Sequence, residues 1–349
     1  MELLEQIFNK AGIRKRLPIR VNFGGKDGDM GGPFVKLKRM AHYFPNHPKG
    51  YNLIYGVSGV DFPLDICKKA KKRGVKIVCH LNSCWHPAYA DDWKHKNRFL
   101  EGLHNLYADY VVYGSKQAKA GAKRYIGDVD RVPSDIIYNA VDIGHYIPVS
   151  VKKDRPLTLL ASGFHQIRHR VEPLIRALPL LKKNHPELRL IIAGKLKDGK
   201  GIWDCGEETI RGLLQEVAFD QVEFVPSYTQ EEAPGIYQRA DVLVHLKHMD
   251  WTPNVVAEAM ACGLPVVHTG NGGVPEIVQE SGVSLQIPEN WDQVSEADPQ
   301  AVANAIEQAY AERHELGSKA REIAESTFNM DSWAEKHRRI FSDLLGLSR

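Results

Sequence analysis

The stretch Asp250-Trp-Thr-Pro-Asn-Val-Val-Ala-Glu258-Ala-Met-Ala-Cys-Gly263-Leu-Pro-Val-Val-His268-Thr-Gly-Asn-Gly-Gly273-Val-Pro-Glu276 decides how this chain is read. Thr252 is placed to cap a helix whose first residue, Pro253, has no amide hydrogen to lose, and Gly263 can take the left-handed conformation that ends it. The spacing predicts a helix of about ten residues, roughly 15 Å long. The apolar run 264–268 suits a buried parallel strand, and the glycine turn after it leads to a second helix start at Pro275. Two helix N-termini on one side of a sheet favour a phosphate-bearing ligand, here flanked by Asp250 and Glu258.

Outward from this stretch, short Val-, Ile- and Tyr-rich runs alternate with helical segments. Strands are expected at 17–23, 51–55, 75–79, 110–113 and 136–138, then at 157–161, 188–193, 222–225, 242–245 and 265–268, with helices at 171–183 and 231–239 among those between. Such alternation predicts parallel sheets covered by helices on both faces. A chain of 349 residues exceeds what one core usually fills, and the polar, proline-bounded segment 148–156 is the natural linker. The net charge of +3 gives no case for nucleic acid. No apolar run reaches membrane-span length, and the N-terminus lacks the basic and apolar regions of a secretion signal, so a soluble, cytoplasmic enzyme is expected. The five scattered cysteines read as reduced thiols.

The quoted stretch resembles the signature of the retaining family 4 glycosyltransferases of the GT-B fold, which move a sugar from a nucleotide-sugar donor to an acceptor. In that family two acids stand seven residues apart, the second followed by Ala-Met-Ala-x-Gly-x-Pro-Val-Val and then Gly-Gly-x-x-Glu. Here the first acid is Asp250 in place of glutamate. Ala108 to Ser115, Tyr138 to Asp142 and Pro226 to Val244 look like further family segments. The resemblance implies an α/β chain of two Rossmann-like parallel-sheet domains facing a central cleft. Residues 1–149 would bind the acceptor and 150–327 the nucleotide sugar, while 328–349 would return as a helix to the first domain. The apolar set Trp333, Ile340, Phe341, Leu344 and Leu345 suits that docking.

The resemblance assigns Glu258 to the donor ribose and Asp250 to the transferred sugar. Asn254, Val255, Gly272 and Gly273 would supply backbone contacts. The loop 163–170 joins a strand end to a helix start, where a departing diphosphate is best stabilised. The family's arginine and lysine places hold Phe164 and His169, so Arg168 and Arg170 are read as substitutes, with Lys195 a further cation at the same cleft. The glycine-rich loop carrying Gly31 and Gly32 follows the first strand in the place of the family's Gly-Gly loop, where the backbone could approach a donor phosphate closely, and is not the dinucleotide fingerprint Gly-x-Gly-x-x-Gly. His80, at the end of a strand, stands where the family often places a histidine facing the donor sugar. The alternative is a structural histidine.

His80, Cys84 and His86 match no closed zinc pattern, and the resemblance implies a metal-independent enzyme without a cofactor, the nucleotide sugar being a co-substrate. Trp85, Tyr89 and Trp93 are sugar-stacking candidates or simply core. The expected activity is transfer of a hexose, with retention, from a UDP- or GDP-sugar to a hydroxyl of a glycan, lipid-linked or small-molecule acceptor. The alternative is a non-catalytic GT-B nucleotide-sugar-binding protein or partner subunit. Leu3, Leu4, Ile7 and Phe8 with Lys10, Arg14, Lys15, Arg16 and Arg20, together with the cluster 68–73, would allow peripheral contact with an anionic membrane. The alternative there is an ordinary solvated face.

Overall fold

The computed structural model describes residues 18–24, 32–60, 62–149 and 155–347. Strands β1 (Val21–Asn22), β2 (Leu53–Val57), β3 (Lys76–Leu81), β4 (Tyr110–Tyr113) and β5 (Ser134–Ile136) form one sheet in that order. Helices α1 (Gly32–Tyr43), α2 (Leu64–Lys72), α3 (Trp93–Gly102) and α4 (Lys116–Tyr125) connect them. The second sheet contains β6 (Thr158–Ser162), β7 (Arg189–Ala193), β8 (Val222–Val225), β9 (Val242–His245), β10 (Val266–His268) and β11 (Gly282–Ser284), ordered β11-β10-β9-β6-β7-β8. Its helices are α5 (Glu172–Lys182), α6 (Glu207–Glu216), α7 (Ala233–Tyr237), α8 (Asn254–Ala261), α9 (Val274–Val278), α10 (Pro299–Ala311) and α11 (Arg313–Thr327). The chain ends in α12 (Met330–Leu344). All neighbouring strands pair in parallel.

Alternation along the strands explains the layering. In β2, Leu53, Tyr55 and Val57 join Leu37 and Met40 of α1 and Trp333, Ile340 and Phe341 of α12 in one cluster. Ile54 points the other way, into a cluster with Cys67 of α2, Leu100 of α3 and Ala118 of α4. The sheet is therefore buried on both faces, as its apolar strands require. The last helix packs on the N-terminal half through Trp333, Ile340 and Phe341, with Leu344 partly buried beside them. In the second sheet the strand order reverses between β6 and β9, and ligands of open α/β sheets bind outside the carboxyl ends of strands at such a point. The loops 163–170 and 246–253 both leave from there.

Several expected boundaries move. Thr252 makes no cap, Pro253 is the N-cap residue, and α8 has eight residues. Helix α9 has only five. Strand β11 carries no apolar run and was not expected. Of the N-terminal amphipathic and basic set only Arg20 is among the described residues; the rest, and Gly31, lie outside them. In the 68–73 cluster, Lys69 pairs with Asp65 and Lys71 with Asp109, so part of that charge is locally neutralised. Among the described residues no helix is long and apolar enough to cross a membrane.

Candidate active site

Asp250 lies in the loop between β9 and α8, buried, with both carboxylate oxygens engaged. Oδ1 accepts from Lys247 Nζ at 2.7 Å and from the Trp251 amide at 3.0 Å, and Oδ2 accepts from His245 Nε2 at 3.0 Å. Burial opposes its ionisation, but Lys247, His245 and the nearby Arg170 outweigh that penalty and hold the carboxyl well below the usual carboxylate range. Gly272 and Gly273 press on this loop. A Cβ on Gly272, whose φ is +75°, would stand 2.4 Å from the Asp250 carbonyl oxygen, and one on Gly273 would stand 1.9 Å from that of Trp251. Their first role here is close packing, which sets the height of the acidic loop.

The loop after β6 sends its two arginines in different directions. Arg170 is buried, and its guanidinium donates to the carbonyls of Ser162, at 3.3 Å, and Phe164. Arg168 points outward and donates to Glu172 at 3.0 Å. Burial lowers the Arg170 pKa and the charge of Asp250 raises it, which places these two groups in one electrostatic cluster. Lys195 lies over the exposed Phe164 ring, 5.8 Å from its centroid. His169 is buried and accepts the His248 amide at 3.1 Å.

Glu258 sits one turn into α8 and faces α1 across the cleft. Its Oε1 accepts from Arg39 Nη2 at 3.0 Å and its Oε2 from the Tyr237 hydroxyl at 3.0 Å. Arg39 also donates to Gln230 Oε1 at 2.9 Å and to the Ala140 carbonyl. A carboxylate has about four acceptor directions, of which these contacts use two, in a side chain that is 2% exposed. Gly32 opens α1 beside Asn254, which opens α8: a Cβ on Gly32 would lie 3.8 Å from Asn254 Nδ2. Val255 packs near Gly163. His80 is fully buried, with Nε2 bonded to Lys36 Nζ at 2.6 Å and Nδ1 to the Tyr55 hydroxyl, so both ring nitrogens are committed within the N-terminal half.

The halves are joined beside the cleft. Glu276 accepts from the Lys116 and Gln117 amides, each at 2.8 Å, and so caps α4; the Tyr138 hydroxyl adds a contact at 3.2 Å. Asn139 Nδ2 donates to the Thr252 carbonyl at 2.8 Å. Trp251, Trp291 and Met249 insert into the cluster formed by α2, α3 and α4. Trp85 is exposed with Lys96 over its ring, whereas Tyr89 and Trp93 contact other aromatic rings.

The sequence profile of the family described as Glycosyl transferases group 1 matches residues 143–326. The chain belongs to that family. As a group 1 glycosyltransferase it is 30% identical over 203 residues to a D-inositol 3-phosphate glycosyltransferase of Pseudarthrobacter chlorophenolicus, covering 55% of this chain and 46% of that protein. It is 24% identical over 213 residues to the phosphatidylinositol N-acetylglucosaminyltransferase gpi3 subunit of Schizosaccharomyces pombe, covering 60% and 43%. The chain spans about half the length of these curated relatives. Among solved structures, Anabaena HepE in complex with UDP-glucose superposes with a TM-score of 0.75 at 18% identity, covering 93% of this chain and all of that one. Sucrose-phosphate synthase from Thermosynechococcus elongatus gives 0.69 at 22% identity, covering 86% and 75%. The fold of this group 1 glycosyltransferase is GT-B.

The matched segment spans the loop with Arg170, the acids and Glu276. Lys247 and His245, which grip Asp250, and Arg39, which reaches Glu258, were missed in the sequence. Arg39 is separated from Glu258 by more than two hundred residues, and no local pattern links them. Lys247, three residues before Asp250, was within reach of a charge-pair argument.

Proposed function

We propose that this group 1 glycosyltransferase moves a hexose, with retention, from a nucleotide-diphosphate sugar to a hydroxyl acceptor. The observation carrying this reading is the convergence of buried Arg170, the Lys247-bound Asp250 and Glu258 at the start of α8, opposite the start of α1. In this reading Glu258 takes the ribose hydroxyls, and Arg170 with the amides of Asn254 and Val255 stabilises charge growing on the departing diphosphate. Asp250, held ionised, accepts hydrogen bonds from the transferred sugar. The family membership and the UDP-glucose complex of HepE support the donor class. The hydroxyl acceptor is a glycan, a lipid-linked sugar or a small molecule, and the protein acts in the cytoplasm or at its membrane face.

A non-catalytic nucleotide-sugar binder is the second reading, favoured by one observation: both oxygens of Asp250 already have partners. Incubation with a panel of UDP- and GDP-sugars separates the two. Transfer to an acceptor, or slow release of nucleoside diphosphate that is insensitive to a chelator, is expected of the enzyme. Binding without any turnover favours the second reading, and activity abolished by chelator but restored by magnesium or manganese contradicts the metal-independent chemistry.

The two arginines give a finer expectation. Arg170→Ala should weaken nucleoside diphosphate binding by on the order of 10-fold or more while affecting nucleoside binding little, since a charged hydrogen bond to phosphate is worth about 1.5–3 kcal/mol. Arg168→Ala, which removes a surface pair with Glu172, should change either affinity less than about threefold. Equal losses in the two variants, read by titration calorimetry, would remove Arg170 from the phosphate site.

A further inference from the structure

Gly32, Lys36 and Arg39 follow one another at helical spacings of four and three, so they share one face of α1. The two flanking members of that stripe touch α8: Gly32 lies beside Asn254, and Arg39 binds Glu258. Asn254 and Glu258 are themselves four residues apart on α8. Lys36 occupies the middle of the stripe and is 3% exposed, with no carboxylate partner among the described residues. Its amine contacts His80 Nε2 at 2.6 Å and Asn82 Oδ1. Asn82 Oδ1 in turn stands with Thr252 Cγ2 over Gly114, at 2.8 and 2.9 Å from a Cβ placed there, so the amine is bonded to a group that abuts the acidic loop.

A chain of hydrogen bonds fixes which positions on that amine are used. The Trp333 carbonyl can only accept, so His337 Nδ1 carries a proton and donates to it at 2.9 Å. Burial pushes the His337 imidazole down to about 3, so it is neutral and its Nε2 is an acceptor, which receives the Tyr55 hydroxyl at 3.0 Å. The Tyr55 oxygen then accepts from His80 Nδ1, leaving His80 Nε2 to accept from Lys36. Lys36 donates to both His80 and Asn82. Its third valence, a lone pair or an N–H, has no partner among the described residues.

We propose that this third valence of Lys36 binds a phosphate oxygen of the nucleotide donor, and that the amine takes up a proton from solvent as that ligand enters. The inference rests on the donor reading given above and adds a residue from the N-terminal half to it. The groups around the amine are Arg39 on its own helix, His80 of β3, Asn82 just after that strand, Tyr55 of β2 behind His80 and His337 of α12, with Glu258 of α8 beyond Arg39. The nearest are cationic or neutral, and burial followed by the Arg39 charge lowers the Lys36 pKa well below the usual lysine range. A phosphate anion arriving between the starts of α1 and α8 reverses that balance: the lone pair forms a new N–H bond, and the buffer acid supplies the proton. Helix α12 acts only by positioning, through His337, Tyr55 and His80.

The test is titration calorimetry of the full chain with UDP and with GDP at pH 8, in two buffers of widely different ionisation enthalpy. The wild-type protein should take up protons as the diphosphate binds, up to one per site. Lys36→Met, or Lys36→Gln should the former not fold, should bind on the order of 10- to 100-fold more weakly and lose the buffer dependence. Wild-type binding with no proton uptake, or a folded variant keeping wild-type affinity, overturns the role of Lys36 and leaves the donor reading standing. Failure of the wild-type protein to bind either diphosphate overturns both.

Discussion

Replacing Glu258 by alanine is expected to lower stability by about 1–3 kcal/mol as well as weaken nucleotide binding, because it strands the buried Tyr237 hydroxyl and removes a partner of the half-buried Arg39. The carboxylate bridges Arg39 of α1 and Tyr237 of α7, so its loss takes the acceptor of the buried Tyr237 hydroxyl and one of three acceptors of Arg39, which keeps Gln230 and the Ala140 carbonyl. The sequence pattern predicts a binding residue whose removal leaves the fold intact. The structure changes that expectation, since the same carboxylate ties the two halves together. Glu258→Gln keeps the shape and one acceptor oxygen, so it should lose less stability. Denaturant unfolding of the two variants checks this, and an unchanged midpoint in Glu258→Ala would show that the Arg39 contact carries no stability.

Acid should unfold the protein early. Burial pushes His86 and His268 down to about 4 and His165 and His337 down to about 3. An unfolded chain protonates these imidazoles near pH 6.5 while the folded one resists, so the unfolded state binds more protons as pH falls. Their contribution is fully present above about pH 6.5 and is lost on the way down towards the folded values. By pH 5 each histidine has given up about 2 kcal/mol, and the four together on the order of 8 kcal/mol, comparable with the about 5–15 kcal/mol that holds a typical domain. Unfolding midpoints at pH 7 and pH 5 measure this. A flat profile between them would mean that these rings stay hydrated or find new partners on protonation.

The sheets were legible because their strands are buried on both faces and so appear as unbroken apolar runs: β2, β6, β7 and β9 lie within or beside the expected segments. Strand β11 was not legible, since Gly282–Ser284 is half-exposed and held in place by pairing with β10. The docking of α12 was readable from Trp333, Ile340 and Phe341, an amphipathic stripe needing a surface to cover. At the site the sequence indicated which residues carry charge but not what each one faces. Arg168 and Arg170 look alike in the sequence, yet a single 3-10 turn, Arg168–Arg170, sends one to Glu172 and the other inward. His80, which the sequence leaves as either sugar-facing or structural, lies behind Lys36 with both ring nitrogens engaged. Pairings across the cleft, such as Arg39 with Glu258 and Glu276 with the start of α4, depend on how the halves meet, and no local spacing encodes that.

The cleft between the starts of α1 and α8 is expected to bind a nucleoside diphosphate through its phosphates. The most direct test is the equilibrium affinity of the full chain for UDP and GDP against uridine and guanosine, measured at one ionic strength. At least one diphosphate should bind on the order of 10-fold or more tightly than its nucleoside, and Arg170→Ala should remove most of that difference. Equal affinities for diphosphate and nucleoside, or a difference that survives the loss of Arg170, would show that the phosphates are not held there.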